Sequence, residues 1–384
     1  MPINLKSTGK PWLINCMENC GYKNVSTGIC LGLAYMSIHA MLIGELGVFI
    51  NRLKLINNLY HNENYALTIE QITDIFAFFD GIQLYQNPEI HSDLFKKINF
   101  VSQKNCSTLT FNIIQPLYFQ EQQITIYNIY NFSGCYMLHQ LKTFFSVLED
   151  TISDYILTTT LPISFILYND THAVSLGYNH RYNSWTIIDT TLLFLRNGIN
   201  IISKSYSKKQ LIKLLHMAFT YQEPDFHDYY NTIALFTRIF ITQQVDSHTS
   251  IQQIKNYFVK TLNNNSNWQH LHRINPNKLN ITNIGRSWLY IAVKNDDYLT
   301  AKLLIEAKAN VNMAVNHIPL LWMAAEHGNN KIVNLLINAI NPSLPKGIEP
   351  SYFTKTPYNL AEAFNQLTIT PTIDLPEQLL CKPT

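Results

Sequence analysis

The sequence predicts an α+β domain followed by an all-α repeat array. A helix-like apolar run begins at Cys30, directly after a turn-forming Ser-Thr-Gly stretch. Residues 162–190 contain three short apolar runs separated by turn residues, which is the pattern of an antiparallel β meander. From residue 287 onward, a period of about 32 residues indicates stacked helical repeats. We therefore predict a first domain over residues 1–262, a linker over 263–280 and a repeat domain over 281–384.

The composition is that of a globular protein with few charges. The 384 residues are 47% hydrophobic and only 14% charged, and the formal net charge is +2. The basic residues are scattered, and the longest basic runs are pairs such as Lys96-Lys97. Proteins that bind nucleic acids usually cluster such residues on one face, so no nucleic-acid partner is expected.

The cysteines and the N-terminal region bear on the cellular setting. Six cysteines are spread along the chain and do not resemble the disulfide framework of a small secreted domain. Cys16-x-x-x-Cys20 could open a zinc site, but no second Cys or His pair follows at suitable spacing, so no metal or cofactor is expected.

The first ten residues lack the apolar segment of a Sec-type signal peptide. Residues 29–44, the longest apolar stretch, are too few to span a membrane.

The local patterns of the first domain predict elements in chain order. Residues 1–25 are expected to be irregular, and Gly44 and Gly47 are expected to break the helix that begins at Cys30. Thr68 and Gln71 have the spacing of a capping box, as do Thr249 and Gln252. The predicted helices cover residues 30–43, 48–59, 69–84, 133–152, 208–219 and a segment ending near 262. The predicted strands cover residues 109–114, 123–129, 163–168, 172–178, 185–189 and 232–242.

The C-terminal hundred residues repeat themselves. Residues 287–293 match 319–325, and 301–305 match 333–337, in both cases 32 positions apart. Asp296 matches Gly328 at the same offset, and a third unit begins at Thr356. Residues 281–370 resemble the ankyrin repeat, whose consensus is Thr-Pro-Leu-His-x-Ala-Ala. The resemblance implies about three stacked units, whose concave face would bind a protein partner or whose packing would only brace the first domain.

Cys30, His172 and Asp189 are the candidate catalytic residues. A thiol at a helix N-terminus lies at the positive end of the helix dipole, which favours the thiolate. His172 begins one strand of the predicted meander and Asp189 ends the next. Cys30 could instead be a plain core cysteine, and Asp189 could only cap a turn. The alternatives for the other two positions are His39, His139 and His180 for the histidine and Asp170 for the carboxylate.

Residues 20–195 resemble papain-like cysteine peptidases and look most similar to the YopT-type bacterial effectors. The resemblance rests on Gly28-Ile29-Cys30-Leu31-Gly32-Leu33 and on the later His172 and Asp189, which are 17 residues apart. It implies that Cys30 is the nucleophile, that His172 is the base and acid, and that Asp189 orients the imidazole. It also implies Asn24 as the side-chain oxyanion donor, although the family usually has Gln there and Asn24 could equally be a turn residue.

The two resemblances together imply a bacterial effector that reaches the cytoplasm of a host cell by a non-Sec route. Its reaction would be hydrolysis of a peptide or isopeptide bond in a host protein selected by the ankyrin array. The same three residues could instead deamidate or transglutaminate a glutamine side chain. In a further alternative, the first domain is a non-catalytic scaffold and the chain is an ankyrin-based interaction protein.

Overall fold

A computed structural model of the chain describes residues 11–25, 28–62, 66–88, 91, 117–119, 122–156, 162–169, 171–220, 232–244, 250–274, 282–283, 286–315 and 318–340. The chain divides into two compact units. The first comprises Met1–Asn131 and Tyr136–His272, and the second comprises Phe132–Cys135 and Arg273–Thr384. No helix within the described ranges is both long and apolar enough to cross a membrane.

The first unit is an α+β fold built on a seven-stranded sheet. In the described residues its strands are β1 (Leu117–Phe119), β2 (Gln122–Met137, of which Phe132–Cys135 belong to the second unit), β3 (Ile163–Tyr168), β4 (Ala173–Asn179), β5 (Ser184–Asp189), β6 (Ser205–Tyr206) and β7 (Thr232–Gln244). Its helices are α1 (Trp12–Asn19), α2 (Cys30–Leu42), α3 (Leu46–His61), α4 (Ile69–Gln86), α5 (Leu138–Ile156), α6 (Thr190–Leu193), α7 (Gly198–Ile202), α8 (Lys208–Thr220), α9 (Ile251–Asn264) and α10 (Ser266–His272). The strand order is β1-β2-β7-β3-β4-β5-β6.

The predicted meander forms the centre of this sheet. Strands β3, β4 and β5 are joined by antiparallel ladders, with Tyr168 opposite Ala173 and Val174 opposite Asp189. Strand β7 pairs with the free edge of β3, also antiparallel. The start of β4 and the end of β5 therefore lie side by side, which is the arrangement that a site built from both strands requires.

Helix α2 lies between the sheet and α4, and it is buried on nearly all sides. Only Cys30 and Met36 of its 13 residues are not fully buried. A Cβ atom built on Gly32 would lie 2.2 Å from the carbonyl oxygen of Ile82 in α4. Since real Cβ atoms do not approach so closely, only glycine lets the two helix backbones come into direct contact here. The buried Tyr35 hydroxyl also accepts a hydrogen bond from Arg238 of β7, which links α2 to the sheet.

Helix α5 packs on the strands through aromatic side chains and one buried polar cluster. The ring of Trp185 in β5 lies 5.1 Å from that of Phe145 in α5. Its indole N–H donates to Glu149 over 2.8 Å, and the other carboxylate oxygen of Glu149 pairs with Lys208 of α8. Every polar group of this cluster therefore has a partner, as burial demands.

The structure differs from the sequence analysis near the N-terminus. Residues 12–19, expected to be irregular, form α1, because Leu13 and Met17 are fully buried and tertiary packing outweighs the turn-forming flanks. Gly47, expected to break a helix, lies inside α3. The predicted capping box at Thr68 and Gln71 is confirmed, with both hydrogen bonds formed at the start of α4.

Three further differences lie in the middle of the chain. Residues 133–137, expected to begin a helix, extend β2, in which Ser133, Cys135 and Tyr136 are fully buried and tertiary packing overrides local helix propensity. The capping box of α9 is formed by Ser250 and Gln253, one position later than predicted. Residues 266–272, assigned to the linker, form α10, in which Trp268 and Leu271 are buried. The predicted strand 109–114 and the third repeat unit at Thr356 lie outside the described residues.

Within its described residues, the second unit contains two helical hairpins whose elements begin 32 positions apart. Its elements are β8 (Thr282–Asn283), β9 (Arg286–Ser287), α11 (Trp288–Lys294), α12 (Tyr298–Glu306), β10 (Ala314–Val315), β11 (Ile318–Pro319), α13 (Leu320–Glu326) and α14 (Asn330–Ile340). Asp296 and Gly328, at matching turns, have left-handed backbones with φ of 56° and 67°. Helix α11 packs on α13 and α12 on α14, so each hairpin buries its apolar face against the other.

We expect Gly32→Ala to lower the free energy of unfolding by about 1–3 kcal/mol, because the added methyl group forces α2 and α4 apart. Gly47→Ala is the matched control, since it adds the same methyl group to a helix but meets no atom within 4 Å. It should raise stability by roughly 0.5–1 kcal/mol through better helix propensity. Urea denaturation followed by circular dichroism measures both. Equal tolerance of the two substitutions would contradict the direct backbone contact.

A second stability prediction concerns Asp297, which has two roles in the second unit. One carboxylate oxygen caps α12 by accepting from the Thr300 N–H, and the other accepts from both the N–H and the hydroxyl of the buried Ser133 over 2.7 Å. Asp297→Ala should cost about 2–4 kcal/mol, from the lost cap and the unsatisfied donors. A loss of no more than about 1 kcal/mol, which the helix cap alone would explain, would refute this account.

Candidate active site

Cys30 is the first residue of α2, and its side chain is half-buried. The preceding residue, Ile29, is the N-cap and offers no side-chain hydrogen bond to the helix. Gly28 has φ of +119°, a backbone conformation that L residues rarely adopt, and it turns the chain into the helix. The thiol therefore lies at the positive end of the α2 dipole, as the sequence predicts. Ser26 and Thr27 of the preceding turn lie outside the described residues.

The missing side-chain cap of α2 is supplied from α4. The side-chain oxygen of Gln86, the last residue of α4, accepts a hydrogen bond from the Gly32 N–H over 3.0 Å. Gly32 is the third residue of α2, so this bond satisfies one of the unpaired N–H groups of the first turn. Sequence reasoning missed Gln86, because no local pattern links residues 54 positions apart.

A local turn holds His172 at the start of β4. The side-chain oxygen of Asn169 accepts hydrogen bonds from the N–H of Thr171 and of His172, at 3.0 and 2.9 Å. The Asn169 N–H in turn donates to the His172 carbonyl over 3.0 Å. This is an Asx-type turn, and the sequence Asn-x-Thr-His contains the signal that could have revealed it.

His172 and Asp189 form a buried ion pair at the adjoining ends of β4 and β5. The Nε2 atom of His172 bonds to one oxygen of Asp189 in a short contact. The other oxygen of Asp189 accepts from the Leu192 N–H over 2.7 Å and so caps α6. The side chains are 3% and 0% exposed, which excludes water as a competing partner. The predicted catalytic role and the predicted capping role of Asp189 thus use different oxygens.

Cys30 lies close enough to the imidazole of His172 to contribute, after Asp189, to the rise in its pKa. Since Nε2 is held by Asp189, Nδ1 is the ring nitrogen that remains for the sulfur. The ring of Phe219 in α8 stands edge-on to the imidazole, with centroids 5.5 Å apart, and restricts its rotation. The structure thus brings together all three residues that the sequence analysis selected.

The surroundings of His172 favour its charged form. Burial of the imidazole lowers its pKa, but the hydrogen bond and negative charge of Asp189, with those of Cys30, outweigh burial and raise the pKa to about 9. The imidazole is therefore protonated at neutral pH. A positive charge beside the sulfur, together with the helix dipole, is the environment in which a cysteine becomes a nucleophile.

The other candidate residues lie elsewhere. Asn24 is exposed, with a left-handed backbone at φ of 61°, which is the geometry of its alternative interpretation as a turn residue. His39 is buried inside α2, where it bonds to the Tyr85 hydroxyl, and burial lowers its pKa to about 3. His180 lies in an exposed 3-10 turn and His139 is an exposed residue of α5. Asp170 lies outside the described residues.

Cys16 and Cys20, weighed in the sequence as half of a zinc site, line an apolar pocket beside α3 and α4. Burial and the neighbouring Cys20 raise the pKa of the Cys16 thiol to about 12, and burial also raises the pKa of Cys20. Both are therefore thiols rather than thiolates at neutral pH. Across the described ranges, no three His, Cys, Asp or Glu side chains converge as metal ligands would.

No protein-family model, curated protein or solved structure matches this chain. The functional argument therefore rests on the residues and the geometry of the site. The site combines a thiol at a helix N-terminus, a charged imidazole near that thiol and a buried carboxylate bonded to the imidazole. Chemically, such a combination can generate a thiolate nucleophile and return a proton to a leaving group.

The raised pKa of His172 predicts a pH dependence of stability. In the unfolded chain the pKa is about 6.5, so the protonated imidazole stabilises the folded state fully below that pH. This stabilisation is lost as the pH rises through the folded pKa of about 9. The free energy of unfolding of the wild type, minus that of His172→Gln, should therefore fall between pH 6 and pH 10 by about 3 kcal/mol.

This difference between wild type and variant cancels the titration of the groups that do not interact with His172. Glutamine is chosen because its amide can still donate to Asp189, so the variant leaves no buried carboxylate without a donor. Urea denaturation at several pH values gives the required free energies. A difference that does not change with pH would mean that His172 is not charged in the folded protein.

Proposed function

We propose that the first unit is a papain-like cysteine hydrolase in which Cys30, His172 and Asp189 form the catalytic triad. The observation that carries the proposal is the buried bond between His172 and Asp189, with Cys30, the first residue of α2, near enough to the imidazole to contribute to its raised pKa. The location of Cys30 at the start of a buried helix, and of the other two on adjacent strands, is consistent with the family resemblance of residues 20–195. The proposed substrate bond is a peptide or isopeptide bond.

The proposed reaction has two half-cycles, in which a thioester on Cys30 is first formed and then hydrolysed. The Cys30 thiolate attacks the carbonyl carbon, a C–S bond forms, and the carbonyl electron pair moves to oxygen. When the intermediate collapses, the C–N bond breaks and His172 gives its proton to the departing amine. Water then attacks the thioester while His172 accepts its proton, and the acid product and the thiolate are released. Asp189 keeps the imidazole in the required tautomer and stabilises its charge.

For the second unit we propose an ankyrin-type array that binds the protein substrate. Two features support this: the 32-residue spacing of all elements in the two hairpins, and the matching left-handed turns at Asp296 and Gly328. Stacked repeats present extended concave surfaces that suit protein ligands. The pairing of this array with the hydrolase leads us to propose a bacterial effector that acts on a protein inside a host cell, reached by a non-Sec route.

The triad is tested by the pH dependence of alkylation at Cys30. With limiting iodoacetamide at pH 6.5, Cys30 should react about tenfold or more faster than Cys20, which is equally half-buried but whose thiol has a raised pKa. His172→Ala should abolish this advantage, whereas His61→Ala, at the exposed end of α3, should preserve it. Mass spectrometry of the peptides gives the rate for each cysteine. If Cys30 reacts no faster than Cys20, the triad is refuted.

The reaction class is tested by incubating candidate host proteins with the wild type and with Cys30→Ala. Chain cleavage by the wild type alone supports the hydrolase. A gain of about one dalton at a glutamine, or a cross-link, would instead identify the deamidase or transglutaminase reaction, which uses the same thioester. If Cys30→Ala retained every cellular effect, the ankyrin-based interaction protein would be the correct interpretation.

A further inference from the structure

Gln86 has a defined orientation at the reacting end of α2. Its side-chain amide is half-buried and lies 3.0 Å from the Gly32 N–H. Because an N–H can only donate, the amide atom facing it is the oxygen, and the NH2 group must be on the opposite branch. Among the described residues, this NH2 group has no hydrogen-bond acceptor.

The position of the NH2 group follows from helix geometry. The N–H groups of the first helical turn point along the axis towards the N-terminal end, where Cys30 begins the helix. Gly32 is two residues further on, which is about 3 Å along the axis. A side chain bonded to the Gly32 N–H therefore lies across the same helix end as the Cys30 backbone N–H.

The direct contact between α2 and α4 makes this position rigid. Gly32 touches the backbone of Ile82, and Gln86 follows Ile82 by four residues, one helical turn along the same face of α4. The hydrogen bond to Gly32 then fixes the amide itself. Rigid donors aimed at the site of developing charge stabilise a transition state more than mobile ones do, because they need no reorganisation.

We propose that Gln86 is the side-chain oxyanion donor of this site. The inference rests on the proposed function and deepens it. When the Cys30 thiolate forms the C–S bond, the carbonyl electron pair moves to the oxygen, which then accepts hydrogen bonds from the Gln86 NH2 group and the Cys30 backbone N–H. When the carbonyl re-forms and the leaving group departs with the His172 proton, both bonds weaken. Asn24, the candidate from the sequence, lies in an exposed turn instead.

A purely structural role for Gln86, as the cap of α2, is the competing explanation. Gln86→Glu separates the two roles, because a carboxylate still accepts from the Gly32 N–H but offers no donor to an oxyanion. Gln86→Ala removes both functions. Gln253→Ala is the matched control, since Gln253 also caps a helix with its side-chain oxygen, by accepting from the Ser250 N–H of α9.

The experiment compares two reactions of Cys30 in the full-length chain. Iodoacetamide alkylates the sulfur by displacement and forms no oxyanion, whereas p-nitrophenyl acetate acylates it through a tetrahedral oxyanion. Both rates are measured at the same pH and their ratio is compared between variants, because both reactions use the same thiolate and a change in its population cancels in the ratio. Mass spectrometry identifies the modified cysteine.

We expect Gln86→Glu and Gln86→Ala to slow acylation of Cys30 about a hundredfold or more while alkylation stays at the wild-type rate. Gln253→Ala should leave both rates unchanged. If both rates fall together in Gln86→Glu, Gln86 only positions α2, and if neither falls it has no role; either result overturns the inference. If wild-type Cys30 is acylated no faster than Cys20, the proposed hydrolase itself fails, and the oxyanion donor with it.

Discussion

The direct backbone contact between α2 and α4 is the constraint on which the rest of the site depends. It requires a residue without a side chain at position 32, because a Cβ atom there would overlap the carbonyl oxygen of Ile82. This contact holds α2 buried between α4 and the sheet. The N-terminal end of α2, where Cys30 lies, therefore has a fixed position and orientation. The contact also carries Gln86 to the same helix end. The close approach of the two helices thus fixes the position of Cys30 and that of Gln86, which caps α2.

Charge in the site is arranged around the same helix end. Burial normally lowers the pKa of an imidazole and so favours its neutral form. The lowered pKa of His39, which is buried within α2, is an example. His172 is buried to a similar degree, yet its pKa is raised, because the effect of Asp189, with that of Cys30, outweighs the effect of burial. Two buried histidines in one unit therefore have opposite charge states, and the difference lies in their hydrogen-bond partners. Burial by itself does not distinguish a catalytic histidine from a structural one.

The sequence predicted much of the first unit where local patterns are strong. The meander, α2 and the capping box of α4 were correct because periodicity and capping act over a few residues. The errors share a cause, which is tertiary packing. α1 and α10 owe their helices to burial of Leu13 and Trp268, and the end of β2 contains the fully buried Cys135. Their packing partners are distant in the chain, so no window of the sequence contains them.

The sequence by itself determined which side chains could do chemistry and which of them neighbouring strands would bring together. His172 and Asp189 meet because each lies at the end of a strand in one meander, and a period of two with short turns specifies that pairing. Only the tertiary structure decided what surrounds them. Three features join elements that are far apart in sequence. They are the proximity of Cys30 to His172, the ring of Phe219 against the imidazole, and the amide of Gln86 at the start of α2. Those features depend on how whole helices pack, which local propensity does not encode.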